Sequence, residues 1–313
     1  MQNAKCKIEN PKLHDMHDSA NQRIDRPHRT APPIMLPLDA GRMWANQEFL
    51  PQLERAGLSS VAAVMAAKSG RLLRTLSDRE NWRLELDRGA GRQVMYLKKH
   101  RIRSWGHWLR AKLGVGPGVT PGRVEAHNVE RLERSGIAAM RLVAYGEGLR
   151  ADGVAESFVL TEELTGYLPL DDFLRQRFEA IADSTDAGRD PRLDRLIADV
   201  ADVAGRFHRQ GFNHRDLYCC HFFIREASRG RFLVNVIDLQ RVERRRWLRR
   251  RWVVKDLAQL AYSAPRERIS RTRRLAFMKH YLQTSRLRPE HKRLIRQVLA
   301  KQRAMERRLG AHP

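Results

Sequence analysis

The sequence predicts an α+β chain in two lobes, a β-rich first lobe and a mainly helical second one. Three observations carry that prediction. Between residues 71 and 164 apolar residues alternate with polar ones in short runs, the period of a half-buried strand. Beyond residue 164 they recur mostly at three- and four-residue spacing, the period of an amphipathic helix. A length of 313 residues is ample for two lobes with a core each.

Residues 1 to 45 mix His, Asp, Asn, Lys and Pro without periodicity and read as a disordered tail. The first lobe is then 46–163 with its preceding helices, and the second 164–313 with basic C-terminal helices. From Gln47, Phe49, Leu50 and Leu53 mark a short amphipathic helix, and Ser59-Ser60 caps another that begins at Val61. Arg71 to Leu76 and Trp82 to Leu86 read as strands around a turn-like Ser77-Asp78-Arg79-Glu80-Asn81. Gln93 to His100 is a third strand, which presents Lys98 opposite Leu97. Ser104 to Gly118, with Trp105, His107 and Trp108, reads as an insertion. Thr120-Pro121 opens a helix with Thr as cap and Pro at the first position; Val129 and Leu132 give it an apolar face and Gly136 ends it. Ser157 to Leu164 is an apolar strand running into acids. A helix begins at Leu170, a polar loop covers 181–191, and Leu196, Val200, Val203 and Phe207 mark a long helix from Leu193 to Gln210. Arg231 to Gln240 is a β-rich run ending in an acid, and a further helix begins near Lys255.

Charge narrows the partners. Sixty Lys and Arg against 36 Asp and Glu leave a net charge of +24, a field that suits nucleic acid, an anionic membrane surface or a phosphorylated substrate. Arg241 to Trp252 holds seven arginines and two tryptophans, and from Arg241 to Pro313 there are 23 Lys and Arg against five Asp and Glu. Three cysteines, two of them adjacent, cannot build a disulfide framework and point to a reducing compartment. The N-terminus shows no apolar signal segment and no run approaches 18 apolar residues, so a cytoplasmic protein is expected.

The chemistry sits in Asn213-His214-Arg215-Asp216-Leu217-Tyr218-Cys219-Cys220-His221-Phe222 and in Asp238. A zinc site is a poor account of it, because the only other cysteine is Cys6; adjacent cysteines suit small buried residues. His214-Arg215-Asp216-Leu217 resembles the opening of the protein-kinase catalytic loop, whose Asp accepts the proton of the attacking hydroxyl. The kinase metal ligand five residues later, normally Asn, is here His221, and Asp238 stands where a strand delivers the metal-binding Asp. The His221 substitution and the Asp238-Leu239-Gln240-Arg241 ending resemble the bacterial lipopolysaccharide kinase (Kdo/WaaP) family, along roughly Gln47 to Leu260.

That resemblance implies a two-lobed protein-kinase-like fold and an ATP-dependent kinase. Its acceptor would be a sugar hydroxyl, of heptose or Kdo, in the inner core of lipopolysaccharide. It implies ATP with Mg²⁺, or Mn²⁺, an anionic glycolipid acceptor, and peripheral contact with the inner face of the cytoplasmic membrane. By position, Asp216 is the base and Lys98 pairs with the nonreacting phosphates. Glu125 is the lysine's partner, with Glu130 and Glu133 left open. Asp238 and His221 hold metal, or His221 only orients Asp216. The backbone of Glu162 to Leu164 takes adenine. The expected phosphate-covering turn has no glycine, so Arg79 would supply contact by its side chain. Arg215, Arg241, Arg244, Arg245 and Arg246 would bind the acceptor, since guanidinium forks grip phosphate and carboxylate. Asp256 would anchor the catalytic loop. Other readings are a different kinase on the same fold, or an inactive basic scaffold that binds nucleic acid or anionic membrane.

Overall fold

The computed structural model describes residues 33–89, 91–178, 190–244 and 249–310. The chain divides into two units: the first runs to Arg123 and resumes over Leu142–Glu163, and the second takes Val124–Arg141 and everything from Leu164 on.

The first unit is built on one antiparallel sheet. Strands β1 (Met35–Leu38) and β2 (Met43–Asn46) form a hairpin inside the stretch expected to be a tail, so that expectation is corrected from residue 35 on. Four-residue strands are too short for alternation to show, but their burial is firm: Met43 and Ala45 are fully buried, and Asn46 donates to the Leu142 carbonyl at 3.1 Å. Residues 1–32 lie outside the described residues.

Helices α1 (Leu50–Arg55) and α2 (Val61–Ala66) follow, the second capped by the Ser60 hydroxyl on the Ala63 amide. Strands β3 (Arg71–Leu76) and β4 (Arg79–Asp87) are joined by Ser77-Asp78 alone. The five-residue turn read from sequence is therefore too long: Arg79, Glu80 and Asn81 pair with both neighbouring strands, because the twelve-residue β5 (Arg92–Arg103) offers them a partner along their whole length. Next come α3 (Trp105–Lys112), α4 (Pro121–Arg134), β6 (Leu142–Leu149) and β7 (Val154–Glu162).

The sheet order is β1-β2-β6-β7-β5-β4-β3. On one face α1 and α2 close a core with Met43, Leu53, Val64, Met95, Leu97, Phe158 and Leu160. Gly146 on β6 allows that packing, because a Cβ there would fall 2.7 Å from the Phe158 ring.

The second unit holds most of α4 and then β8 (Leu168–Pro169), α5 (Leu170–Arg177) and α6 (Pro191–Arg209). Asp190 caps α6 through the amides of Arg192 and Leu193, and the expected apolar stripe, Leu193, Leu196, Val200, Val203 and Phe207, is buried. Residues 181–189 of the expected loop lie outside the described residues. Five further elements carry the site: β9 (Phe212–Asn213), β10 (Phe222–Glu226), β11 (Phe232–Val236), β12 (Glu243–Arg244) and α7 (Arg249–Ser263). Helices α8 (Arg271–Tyr281) and α9 (Pro289–Leu309) then pack on α6 and α7 respectively. The small sheets are β11-β10-β8 and β12-β9. Among the described residues no helix is long and apolar enough to cross a membrane.

Candidate active site

Helix α6 ends at a left-handed Gly211, and β9 pairs with β12 through Asn213↔Glu243 and Phe212↔Arg244. The loop that follows is clamped onto one side of α7. Asp256, wholly buried, accepts the amides of His214 and Arg215 at 2.8 Å each. Gln259 Oε1 accepts the Leu217 amide at 3.3 Å, and Ser263 Oγ accepts the Cys219 amide at 2.8 Å. Asp256, Gln259 and Ser263 recur at three- and four-residue spacing, so one helix face satisfies amides that a buried loop would otherwise leave unpaired.

Arg215 sits at φ +70°, a left-handed conformation that a non-glycine residue adopts only under constraint. Its amide is on Asp256, its carbonyl accepts the Lys255 ammonium, and its guanidinium meets Glu243 and lies 4.9 Å over the Trp252 ring. Arg215, expected to face an acceptor, is therefore committed to holding the loop.

Beyond that bend the Asp216 carboxylate is partly exposed. Arg241 Nη1 donates to Oδ2 at 2.6 Å, while Gln259 Nε2 and Lys255 Nζ stand 3.5 and 3.7 Å from Oδ1. Arg241, expected on the acceptor, thus pairs with the expected base. Lys255 was not among the expected site residues: it comes from α7, far from the loop in sequence, and its only signal is its place beside Asp256. Burial lowers its pKa, with Asp216 and Asp256 opposing that shift.

His221 Nδ1 and the Asp216 carbonyl lie 2.6 Å apart. A carbonyl only accepts, so Nδ1 carries a proton, and Nε2 faces Asp238, whose Oδ2 is 3.7 Å away. Asp238 itself is left-handed at φ +57°. The strand before it is tied to the loop by the Ile237 amide on the His221 carbonyl, and the turn after it by Asn128 Nδ2, which donates to the carbonyls of Leu239 and Val242 at 2.9 Å each. Asn128 on α4 is a positioning residue that periodicity could not single out, since it looks like any polar helix position.

An imidazole nitrogen and a carboxylate facing each other across this distance suit a divalent cation, with oxygen ligands completing its shell. Among the described residues no group of three or more His, Cys, Asp or Glu side chains offers a metal cage.

Under these rings lies His214, stacked on His221 at 5.4 Å and 21°, with Nε2 donating to the Ile237 carbonyl at 3.0 Å. Full burial pushes its pKa down to about 4, and any positive charge that the stacked His221 acquires acts in the same direction. As the pH falls, the unfolded chain takes up this proton near pH 6.5, whereas the folded chain resists it until about pH 4. Stability is therefore full above pH 6.5 and declines below it, by up to ~3 kcal/mol at pH 4. Urea unfolding at pH 7.5 and pH 5 would show the decline, and an imidazole resonance already protonated at pH 5.5 would contradict it.

The remaining expected residues lie elsewhere. In the first unit, Lys98 on β5 pairs with Asn81 and Val159 on its neighbours and is half-buried on the face away from the α1–α2 core. Lys99, one residue on, faces that core: it is buried, its ammonium bonds the carbonyls of Met65 and Ala67, and it lies 5.2 Å from the Trp82 ring. Strand alternation alone separates the two. Arg79 opens β4 opposite His100, in a strand and not in a loop. Glu162 ends β7 opposite Met95, with its carboxylate on Gln93; the next amide, of Glu163, is spent on the Val94 carbonyl. Leu164 begins the second unit and accepts the Tyr167 amide at 3.1 Å. Also in the second unit, Glu125 is wholly buried on α4, while the Arg244 guanidinium lies 5.9 Å over the Phe212 ring. Arg245 and Arg246 lie outside the described residues.

Comparisons with known proteins agree on one family. The model of the lipopolysaccharide kinase (Kdo/WaaP) family matches residues 63–281. The lipopolysaccharide core heptose(I) kinase WaaP of Pseudomonas aeruginosa is 36% identical over 219 residues, 69% of this chain and 78% of that protein. The protein of the same name from Escherichia coli strain K12 is 32% identical over 217 residues, 68% of this chain and 78% of that protein. A solved structure of WaaP in complex with acyl carrier protein matches with a TM-score of 0.60 and 31% identity, over 85% of this chain and 97% of that one.

Proposed function

The chain belongs to the lipopolysaccharide kinase (Kdo/WaaP) family, an ATP-dependent sugar kinase of kinase-like fold, and from that premise we propose that it phosphorylates heptose in the lipopolysaccharide inner core. The observation that supports this reading is the grouping in the second unit of Asp216, His221 and Asp238: a carboxylate to take a proton beside two donors for a metal.

In the proposed reaction the sugar hydroxyl attacks the γ-phosphorus of ATP. The new O–P bond forms as the bond to ADP breaks, and the hydroxyl proton passes to Asp216. Arg241 and Lys255 hold that carboxylate in place. Arg241 would exchange it for an anionic group of the acceptor, the bidentate partner a guanidinium prefers. A divalent metal, Mg²⁺ or Mn²⁺, held by Asp238 and His221 would neutralise charge on the phosphates. Lys98 is assigned the nonreacting phosphates and the backbone of Glu162 to Leu164 the adenine. Net positive charge and a lipid-anchored acceptor together support work at the cytoplasmic face of the inner membrane.

Labelled phosphate transfer to two dephosphorylated glycolipids, one ending in Kdo and one carrying heptose, tests the acceptor. Transfer to the heptose-bearing glycolipid alone is expected. Transfer to the Kdo-terminated one would move the site to Kdo, and transfer to neither would sink the reading.

A further inference from the structure

Helix α3 (Trp105–Lys112) buries none of its residues. Trp105, Trp108, Leu109 and Leu113 follow one another at helical spacing on a single face, and they are 75%, 45%, 37% and 67% exposed. Past the helix end, Val115 and Val119 continue the apolar run and are also exposed. The helix meets its own unit by another side: His107 Nδ1 contacts the Ile102 carbonyl at 3.3 Å, and Gly153 lies so near that a Cβ would fall 2.6 Å from the Trp108 Cα. The stripe is left facing outward, and an exposed apolar patch of this kind marks an interaction surface.

Charge selects the occupant. From Arg101 to Val124 the chain carries five Lys and Arg and no Asp or Glu. Arg110 and Lys112 stand exposed on the same helix, the Lys112 ammonium 5.8 Å from the Trp108 ring, and exposed Arg103 precedes it, sharing Asp152 with Arg150 at 3.4 and 3.1 Å, so the surroundings stay net cationic. A second copy of this chain in a two-fold contact would set cationic rim against cationic rim. An anionic bilayer meets both features at once: indole and leucine side chains settle at the boundary of headgroups and acyl chains, and cations pair with lipid phosphates.

We propose that α3 and residues 113–119 form a docking surface for an anionic lipid bilayer. Trp105, Trp108, Leu109 and Leu113 would enter the interface while Arg103, Arg110 and Lys112 meet the phosphates. The purpose of this surface rests on the proposed function, whose acceptor is membrane-anchored; its physics does not.

The test is co-sedimentation of the full chain with phosphatidylcholine vesicles, with and without phosphatidylglycerol, in the absence of ATP and glycolipid. The wild type should bind the anionic vesicles selectively. In the W105S/W108S double variant binding should fall at least about tenfold, whereas W105F/W108F, which keeps the apolar surface, should retain it. Thermal midpoints of both variants should stay within a few degrees of the wild type, since Trp105 is 75% and Trp108 45% exposed. Transfer to detergent-dispersed glycolipid should be unchanged in the serine variant, while transfer to vesicle-embedded glycolipid should show a raised KM. Equal vesicle binding by wild type and serine variant would overturn the proposal, as would no binding by either. A dimer dissolved by the serine pair, with vesicle binding intact, would overturn it and assign the face to a second copy. Because binding is read without ATP or acceptor, a failed kinase assignment leaves the result standing.

Discussion

Asp216→Ala should lower phosphoryl transfer by about 10² to 10⁴, the range for removal of a positioned general base. Its carboxylate is partly exposed and contributes no backbone anchor, only contacts to Arg241, Lys255 and Gln259 at its tip. The variant should therefore melt within a few tenths of a kcal/mol of the wild type, as removal of an exposed ion pair usually costs little. Turnover with core glycolipid gives the first quantity and urea unfolding the second. Asp216→Asn separates charge from shape: it keeps the size of the side chain but cannot take the proton, so it should lose as much rate as alanine. Activity within threefold of wild type in both variants would remove Asp216 from the chemistry.

Asp256→Ala should be worse in a different way. The carboxylate is buried and holds the amides of His214 and Arg215, with His208 Nε2 a third neighbour at 3.3 Å. Its loss orphans two buried donors and releases Arg215 from its left-handed bend, a combination that should cost about 3–5 kcal/mol of stability. The rate should fall with it even at a temperature where the variant is folded, because the bend aims Asp216. Asp256→Asn can accept from one amide but puts its NH₂ against the other, so an intermediate loss is expected. A stable Asp256→Ala protein with an inert site would show that the loop needs this anchor only for aim; a stable and active one would show that α7 does not govern the loop.

Much of the site is legible from residue order alone. His214-Arg215-Asp216, the acid at Asp238 and the Lys-Asp pair at 255–256 are local patterns, and local patterns survive without coordinates. The family resemblance points to Lys98 and not Lys99, as the lysine directly after the hydrophobic Leu97, and the two lie on opposite faces of β5. The length of the β3–β4 turn and the hairpin at Met35–Asn46 were not legible, because strand pairing is settled by the partner strand. Nor was the commitment of Arg215 to Glu243 and Trp252, since an arginine in a basic chain carries no mark of whom it meets.

By itself, then, the sequence determined the α+β class and most of the longer elements, and it pointed to the acids and the imidazole, because each depends on period or motif within a few residues. Only the tertiary structure decided that Asp256, Gln259 and Ser263 hold the loop, that Asn128 holds the turn after Asp238, and that Lys255 stands beside Asp216. Those contacts join residues some forty to more than a hundred positions apart, and they form because buried amides and carbonyls must find partners wherever packing brings one within reach.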